Sequence, residues 1–478
     1  MPARTADRPI LVWFRQDLRL TDHPALAHAA ARGGVVPVFV LDDSPRGCAR
    51  GGASRWWLHH SLARLRAALK GLVLVRGEPA VVLPQLAQRV SAQAVVWNRR
   101  YEPRARADEQ ALGQELNSRG VAHESFRGNL LWEPGQIKTL GGDAFKVFTP
   151  FWRACQKAPV AECLAAPKVR LHNLDGLGES LDAWQLLPRS PDWAAPFAKH
   201  WSPGERGAWQ RLQKFLAGGL LGYEELRNRP DLSCVSRLSP HLHFGEISPR
   251  QIWAQVRALI SRDPDFRNDG EKFLAEIGWR EFSYQLLVQF PQLPRNNWRP
   301  EFDGYPWVAD RAHLAAWQRG QTGYPLVDAG MRELWRTGYM HNRVRMVAAS
   351  FLIKHLRIHW RKGETWFWDT LVDADLANNA AGWQWVAGSG ADAAPYFRIF
   401  NPMEQGRKFD PDGSYVRRWC PELATLPDAY LHAPFEAPPP VLQAAGVTLG
   451  RTYPKPIVEH RAARAAALAG YQSMRKHS

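Results

Sequence analysis

Residues 369–385, DTLVDADLANNAAGWQW, place acids, amides and indoles within one short stretch. Carboxylates accept hydrogen bonds, and amides both donate and accept them. Indoles are among the most easily oxidised side chains, so this combination could serve electron transfer beside a bound planar group. The side chains concerned are Asp369, Asp373, Asp375, Asn378, Asn379, Trp383 and Trp385.

A second stretch, SRLSP, could bind phosphate. Ser239 followed by Pro240 is typical of a helix start, with a capping residue and then proline at the first helical position. The free N–H groups at such an end attract anions. Ordinary helix starts carry the same pattern, so the residues alone leave both interpretations open.

The overall composition favours a nucleic-acid partner. The chain has 478 residues, enough for two or three domains, and 62 Lys and Arg against 46 Asp and Glu give a formal charge of +16. An arginine-rich and alanine-rich composition alone could produce the same charge. The 22 tryptophans are mostly expected in cores, although such an excess also suits stacking on bases or on a planar cofactor.

The cysteines and the hydropathy pattern indicate the compartment. Five scattered cysteines without a CxxC motif predict neither a disulfide framework nor a metal site. The first residues have no apolar core of signal-peptide length, and no run of about 18 apolar residues occurs. We therefore predict a cytoplasmic protein without membrane association.

The elements that must position these residues change in character along the chain. β-branched apolar runs at 10–14, 35–41, 72–75 and 94–97 alternate with helical patterns, which predicts an α/β domain with a doubly wound parallel sheet over residues 1–133. Neither GxGxxG nor GxxxxGK[ST] follows the first strand, so ordinary dinucleotide and P-loop sites are disfavoured. The arginines and aspartates of WFRQDLRLTDHPAL, which follow instead, are interpreted as a solvated loop.

The rest of the chain divides into a connector and a helical domain. Residues 134–205 are rich in Pro, Gly and charge, as an interdomain connection is. Beyond them, stretches such as SPRQIWAQVRALISR and NRVRMVAASFLIKHLRIHW have helical apolar spacing. We therefore predict an all-helical domain over residues 206–478.

Several motifs together resemble the photolyase/cryptochrome family. They are WFRQDLRLTDHPAL, SRLSPHLHFGEISPRQ, TGYPLVDAGMRELWRTGYMHNRVRM and DADLANNAAGWQWVAGSGADAAPYFRIFNP, which occur in the family's order across nearly the whole chain. The closest resemblance is to bacterial cyclobutane pyrimidine dimer photolyases. It implies an N-terminal domain with an antenna chromophore and a helical domain that binds FAD and uses blue light to repair DNA.

The resemblance also implies which residues contact FAD. Arg345 and Asp373 are expected to pair beside the flavin, although a purely structural salt bridge is the alternative. Asn379 is expected to face the flavin N5, where plant-type cryptochromes have aspartate. Val235 stands where close relatives often have threonine, which puts one hydroxyl contact in doubt. The implied FAD-binding residues are Tyr223, Ser236, Arg237, Leu238, Ser239, Arg345, Asp373, Asp375 and Asn379.

Two further sets of residues follow from the same resemblance. Trp383, Trp360 and Trp307 are expected to form an electron-transfer chain that runs from the flavin to the surface. The implied lesion-binding residues are Glu276, Trp279, Asn342, Arg343, Met346 and Trp385. Relatives that repair (6-4) photoproducts have histidines at the places of Asn342 and Met346, so the cyclobutane dimer is the expected substrate.

Alternative functions and the antenna stay open at this stage. A signalling cryptochrome shares the motifs, and a single-strand-binding module would explain the charge and the tryptophans. For the antenna, Arg104 and Ala105 stand where folate-binding relatives often have an acid, which counts against a folate. Methenyltetrahydrofolate nevertheless stays the first expectation, with a deazaflavin second. The expected partner is dimer-containing DNA, and a monomer is expected.

Overall fold

The computed structural model describes residues 8–43, 49–393 and 397–476. Cys48, the first seven residues and residues 394–396 of the last motif lie outside the described part. Contacts within the chain define two compact units. Unit 1 comprises residues 1–221 and 236–291, and unit 2 comprises residues 222–235 and 292–478.

Unit 1 contains a five-stranded parallel sheet in the order β3-β2-β1-β4-β5. β1 and β2 are buried along their whole length, which explains why they are continuous apolar runs. β5 has the sequence AHESF, and every one of its residues is at least partly exposed, so it lacks the apolar run that marks the other strands. The strands are β1 Ile10–Phe14, β2 Val35–Leu41, β3 Val73–Arg76, β4 Ala94–Asn98 and β5 Ala122–Phe126.

Helices alternate with these strands as predicted, and further helices complete unit 1. They are α1 Pro24–Ala30, α2 Gly52–Leu69, α3 Pro79–Arg89, α4 Pro103–Ser118, α5 Phe148–Cys155, α6 Glu205–Gly218, α8 Ser239–His243, α9 Pro249–Arg262 and α10 Arg267–Gln289. The predicted boundaries at residues 133 and 205 differ from this division. The connector joins the sheet, since the Val35 N–H donates to the Arg170 carbonyl at 2.8 Å, and α8 to α10 belong to unit 1.

The loop after β1 is buried, so the interpretation of WFRQDLRLTDHPAL as a solvated loop is wrong. Arg19 and Asp22 are 0% exposed. The Arg19 guanidinium donates to the carbonyls of Asp22 (2.9 Å), Gly128 (2.6 Å) and Gly245 (2.9 Å). A guanidinium has five N–H donors, and carbonyls from separate segments supply the acceptors that its burial requires.

Asp22 connects the same loop to α9. Its carboxylate accepts from Arg250 Nε at 3.0 Å and from the Ser248 hydroxyl, and Arg250 Nη2 lies 2.9 Å from Asp22 Oδ1 as an ion pair. Ser248 is the N-cap of α9 and forms a reciprocal capping box with Gln251. A charged pair with this many hydrogen bonds therefore ties the sheet loop to the start of a helix 226 residues further along.

The regular elements described in unit 2 are all helices, apart from an isolated β-bridge between Leu449 and Tyr453, which confirms the predicted helical fold of this part of the chain. The predicted helical stretch at 342–360 is interrupted, because α13 ends at Ser350 and a π-helical turn spans Phe351–His355. No helix among the described residues is long and apolar enough to cross a membrane. The helices of unit 2 are α7 Tyr223–Leu226, α11 Arg311–Gln318, α12 Pro325–Thr337, α13 Asn342–Ser350, α14 Trp360–Thr370, α15 Leu376–Ala387, α16 Pro402–Phe409, α17 Ser414–Trp419, α18 Asp428–Leu431, α19 Pro439–Ala444 and α20 His460–Lys476.

Replacing Asp22 by Asn tests the importance of the buried ion pair. Asn keeps the shape and tolerates the positive φ of 51° at this position, but Arg19 and Arg250 lose their counter-charge. Removal of one partner from a buried pair typically costs about 3–5 kcal/mol. We expect Asp22→Asn to lower the free energy of unfolding by that order in urea denaturation followed by circular dichroism.

Glu404→Gln is the matched control. It removes a carboxylate from the exposed pair with Arg407, where a loss of about 0–1 kcal/mol is expected. Equal losses in the two variants would contradict the importance assigned to Asp22.

Candidate functional site

Helix α15 carries three of the predicted site residues, and Asp375 determines where it begins. Asp375 Oδ1 accepts from the Asn378 backbone N–H at 3.0 Å and from Asn378 Nδ2 at 2.6 Å. This N-cap satisfies a free donor at the helix start. Asn379 and Trp383 then lie one turn apart on the same helical face, whereas Trp385 points in another direction.

The predicted pair of Arg345 and Asp373 is present in unit 2. Arg345 Nη2 lies 2.8 Å from Asp373 Oδ2, and Arg345 Nε donates to the Met340 carbonyl at 2.7 Å. Burial alone would lower the pKa of Arg345, but the Asp373 carboxylate outweighs this effect and raises it. Arg345 is therefore a permanently charged cation. α13, which carries it, packs against α15.

Asn379 has a partner that the sequence analysis missed. Its Nδ2 donates to the Glu364 carbonyl at 3.3 Å and to Glu364 Oε1 at 3.2 Å. Burial raises the pKa of Glu364 to about 7, opposed by Arg361 and by the hydrogen bond from Asn379. The sequence contained a clue to Glu364. It follows the predicted site residue Trp360 by four residues and so lies one helical turn away from it.

The three predicted electron-transfer tryptophans differ in burial. Trp383 and Trp360 are 3% and 0% exposed, whereas Trp307 is half-buried. Trp360 donates its indole N–H to Asn297 Oδ1 at 2.9 Å. The His359 ring lies 4.8 Å from Trp307 and 5.6 Å from Trp360, so these two indoles share a neighbour. Trp307 is therefore the most exposed of the three, while burial does not distinguish Trp360 from Trp383.

The start of α13 presents a polar and basic surface. Asn342 is exposed and Met346 is half-buried, one turn apart. Arg343 Nη2 donates to Asn228 Oδ1 at 2.8 Å, and its guanidinium lies 4.4 Å from the Phe409 ring centre. Burial lowers the pKa of Arg343, and the nearby Arg227 and Arg398 lower it further. Because like charges destabilise each other there, an anion is favoured at this surface.

The remaining lesion-binding candidates belong to unit 1. Glu276 and Trp279 both lie on α10 and are half-buried. The Trp279 ring stacks on Phe148 with ring centres 3.7 Å apart and planes 9° apart. One face of Trp279 is thus covered by the protein, so only the opposite face could stack on a base.

The SRLSP stretch also belongs to unit 1 and departs from its predicted cap. α8 begins at Ser239, its N-cap residue is Leu238, and no side-chain hydrogen bond caps it. Ser239 is therefore the first helical residue and not the cap. Arg237 adopts a positive φ of 52°, and its guanidinium lies 5.2 Å from the Trp201 ring centre.

The predicted antenna region lies after β4. Tyr101 donates its hydroxyl to Glu133, and Glu102 pairs with Arg100 at 2.6 Å. Arg104, which stands at an expected acidic position, pairs with Asp108 at 2.6 Å and with Asp42 at 3.2 Å. Acids are therefore close to this region although the expected position holds arginine.

The predicted site residues are divided between the two units. Unit 2 brings together α13, α14 and α15 with their predicted side chains, whereas Tyr223 is the buried first residue of α7. Unit 1 holds the residues 236–239, Glu276 and Trp279. Three polar partners escaped the sequence analysis: Glu364, Asn228 and Asn297.

Known protein families and sequences match nearly the whole chain. Residues 10–168 match the family described as DNA photolyase, and residues 273–473 match the FAD binding domain of DNA photolyase. A deoxyribodipyrimidine photo-lyase of Agrobacterium fabrum is 51% identical over the full length of both chains. Cryptochrome-2 of Arabidopsis thaliana is 39% identical over 96% of this chain and 78% of its own length.

A solved structure agrees with these sequence matches. The crystal structure of a bacterial class III photolyase from Agrobacterium tumefaciens has a TM-score of 0.96 and 50% identity, covering 100% of this chain and 99% of its own. Its similarity extends over both units. The expected fold, an α/β domain followed by a helical FAD-binding domain, is confirmed, and the chain belongs to the photolyase/cryptochrome family.

Proposed function

We propose that this protein repairs cyclobutane pyrimidine dimers in DNA under blue light, as a deoxyribodipyrimidine photo-lyase. The observation that carries the proposal is the arrangement on α15, where the neutral amide of Asn379 and the buried Trp383 lie one turn apart beside the helix that bears Arg345. The full-length Agrobacterium fabrum relative supports the same function.

The side chains of unit 2 fit a flavin in their chemistry. The Arg345 guanidinium is held by Asp373 and stays charged, so it can compensate negative charge on a bound ring. Asn379 offers an amide that does not readily give up a proton. FAD, when bound, would supply the light-driven electron that no side chain of this chain can provide. Arg345, Asp373, Asp375, Asn379 and Tyr223 would hold it, with Ser236, Arg237, Leu238 and Ser239 contacting its phosphates.

The tryptophans would deliver electrons, and the polar residues would hold the lesion. Trp307, Trp360 and Trp383 form the proposed route from the surface inward. Photolyases are among the enzymes known to extrude their target base from the duplex. Asn342, Arg343, Met346 and Trp385 would contact the extruded dimer, as would Glu276 and Trp279, and basic residues would add attraction for DNA that falls with salt.

A second function, light signalling as a cryptochrome, is favoured by the similarity to Arabidopsis cryptochrome-2. Asn379 and the set of lesion-contacting residues favour repair. We further propose a monomer in the cytoplasm with an antenna chromophore, methenyltetrahydrofolate as first choice and a deazaflavin as second. The absorption spectrum of chromophores extracted from the protein of its native host distinguishes the two.

The first prediction concerns the lesion. Because Asn342 and Met346 stand where (6-4) enzymes have histidines, the reduced protein should restore thymine dimers under blue light and leave (6-4) products unchanged. Chromatography of irradiated oligonucleotides measures both lesions, with a dark sample as control. Repair of neither lesion would favour the signalling function, and equal repair of both would contradict the assigned specificity.

The second prediction concerns the electron route. Trp360→Phe keeps an aromatic ring but removes an easily oxidised indole, so photoreduction of bound FAD should be largely abolished. Chemically pre-reduced enzyme should still repair DNA. The control Trp184→Phe removes another buried indole whose N–H is hydrogen-bonded, at 2.8 Å to Glu179, and should photoreduce normally. Loss of repair in the pre-reduced Trp360 variant would indicate a structural role and contradict the assignment of Trp360 to electron transfer alone.

The third prediction concerns Asn379. Asn379→Asp preserves the volume but replaces the hydrogen bond to Glu364 with two carboxyl groups in contact, and it adds a possible negative charge beside the reduced ring. We expect retained FAD and DNA binding, an altered visible spectrum after illumination with reductant, and loss of repair. A spectrum and repair like those of the wild type would mean that Asn379 does not face the flavin.

A further inference from the structure

The Asn379 amide is tied to a neighbouring helix through its nitrogen. Nδ2 contacts two oxygens of the same residue, the backbone carbonyl of Glu364 at 3.3 Å and the side-chain Oε1 at 3.2 Å. Both Asn379 and Glu364 are half-buried. Glu364 is therefore a direct neighbour of Asn379, which the proposed function places beside the flavin.

These two contacts determine which way the amide faces. A backbone carbonyl can only accept a hydrogen bond, so the atom of Asn379 that faces it must be the N–H donor. The Glu364 side chain supports the same orientation. Asn379 Oδ1 is consequently directed away from Glu364. On that side the amide can only accept a hydrogen bond.

A glycine allows the two helices to approach closely enough for this contact. A Cβ at Gly363, next to Glu364, would lie 2.1 Å from Trp383 Cη2. Any larger residue there would therefore force α14 and α15 apart. Trp383 lies one turn after Asn379, so its packing against Gly363 brings the Glu364 carbonyl within reach of the amide.

We propose that Glu364 is a positioning residue that holds Asn379 as a hydrogen-bond acceptor toward the cofactor, so that the site favours a flavin carrying N5–H. The inference rests on the proposed function, because it requires Asn379 to face N5. Oxidised flavin has an unprotonated N5, which is itself an acceptor and finds no donor there. Two-electron-reduced flavin has N5–H, which matches Oδ1. The residue thus acts on the preference between redox states.

The protonation of Glu364 does not disturb this arrangement. Burial brings its pKa to about 7, against the opposing effects of Arg361 and Asn379. A neutral carboxyl group still has a carbonyl oxygen that can accept from Nδ2. It also adds no negative charge near a reduced ring, which is already anionic.

The test is the midpoint potential of bound FAD, measured by spectroelectrochemical titration of the holoprotein. Glu364→Met removes the side-chain acceptor at similar volume, and Glu364→Gln keeps an acceptor oxygen. We expect the Met variant to lower the ratio of reduced to oxidised flavin about tenfold at a given potential, which is about 30 mV for a two-electron couple. The Gln variant should titrate like the wild type.

Two further variants distinguish the possible failures. Glu422→Met removes a carboxylate that pairs with Arg332 in the same unit and should leave the potential unchanged. Asn379→Leu removes the amide itself and should lower the potential at least as far as Glu364→Met. A shift in Asn379→Leu without one in Glu364→Met would overturn this inference alone. No shift in either would overturn the placement of Asn379 in the proposed function as well.

The same variants test whether the effect comes from the charge of Glu364 or from a loss of FAD binding. Equal shifts in Glu364→Met and Glu364→Gln would assign the effect to charge and overturn the acceptor role. Glu364→Ala is measured in parallel in case the Met side chain packs badly. Loss of FAD from both the Met and Ala variants, with FAD retained by Gln, would make Glu364 a binding residue and would also overturn the inference.

Discussion

A guanidinium withdrawn from water needs acceptors for its donors and a counter-charge, and each unit contains one that is held in this way. In unit 1, Arg19 takes carbonyls from three segments, and Asp22 supplies the charge that it shares with Arg250. In unit 2, Arg345 pairs with Asp373. The free energy lost on desolvating such a group is large, and the partners that the chain supplies offset that loss. The segments that supply them are thereby held in place.

The same requirement gives unit 2 its chemical character. A cation that cannot lose its proton lies on α13, which packs against the helix that carries a neutral amide and a buried indole. The fold does not separate repair from signalling, because a photolyase and a cryptochrome both align with almost the whole chain. In the proposed function, the separation depends on single side chains such as Asn379 and on the neighbours that orient them.

The environments of the tryptophans differ. Trp57, Trp184 and Trp317 are almost completely buried, and each donates its indole N–H to a protein oxygen. Trp383 instead fits against a glycine on the adjacent helix. A count of indoles cannot assign these roles, because the role depends on the neighbours that the fold provides.

Local patterns determined much of this protein. Runs of buried residues marked four of the five strands, helical spacing marked unit 2, and the motifs identified the family and the pair of Arg345 and Asp373. Only the tertiary structure decided which polar residues are buried. The loop after β1 has the composition of a solvated segment, but carbonyls more than 100 residues away make its burial possible. Glu364 likewise reaches Asn379 only through a contact between helices, and β5 lacks an apolar run because all of its residues are at least partly exposed. The spacing of apolar residues indicates which face of a segment is buried. Hydrogen-bond partners that are distant in sequence come together only once the chain has folded.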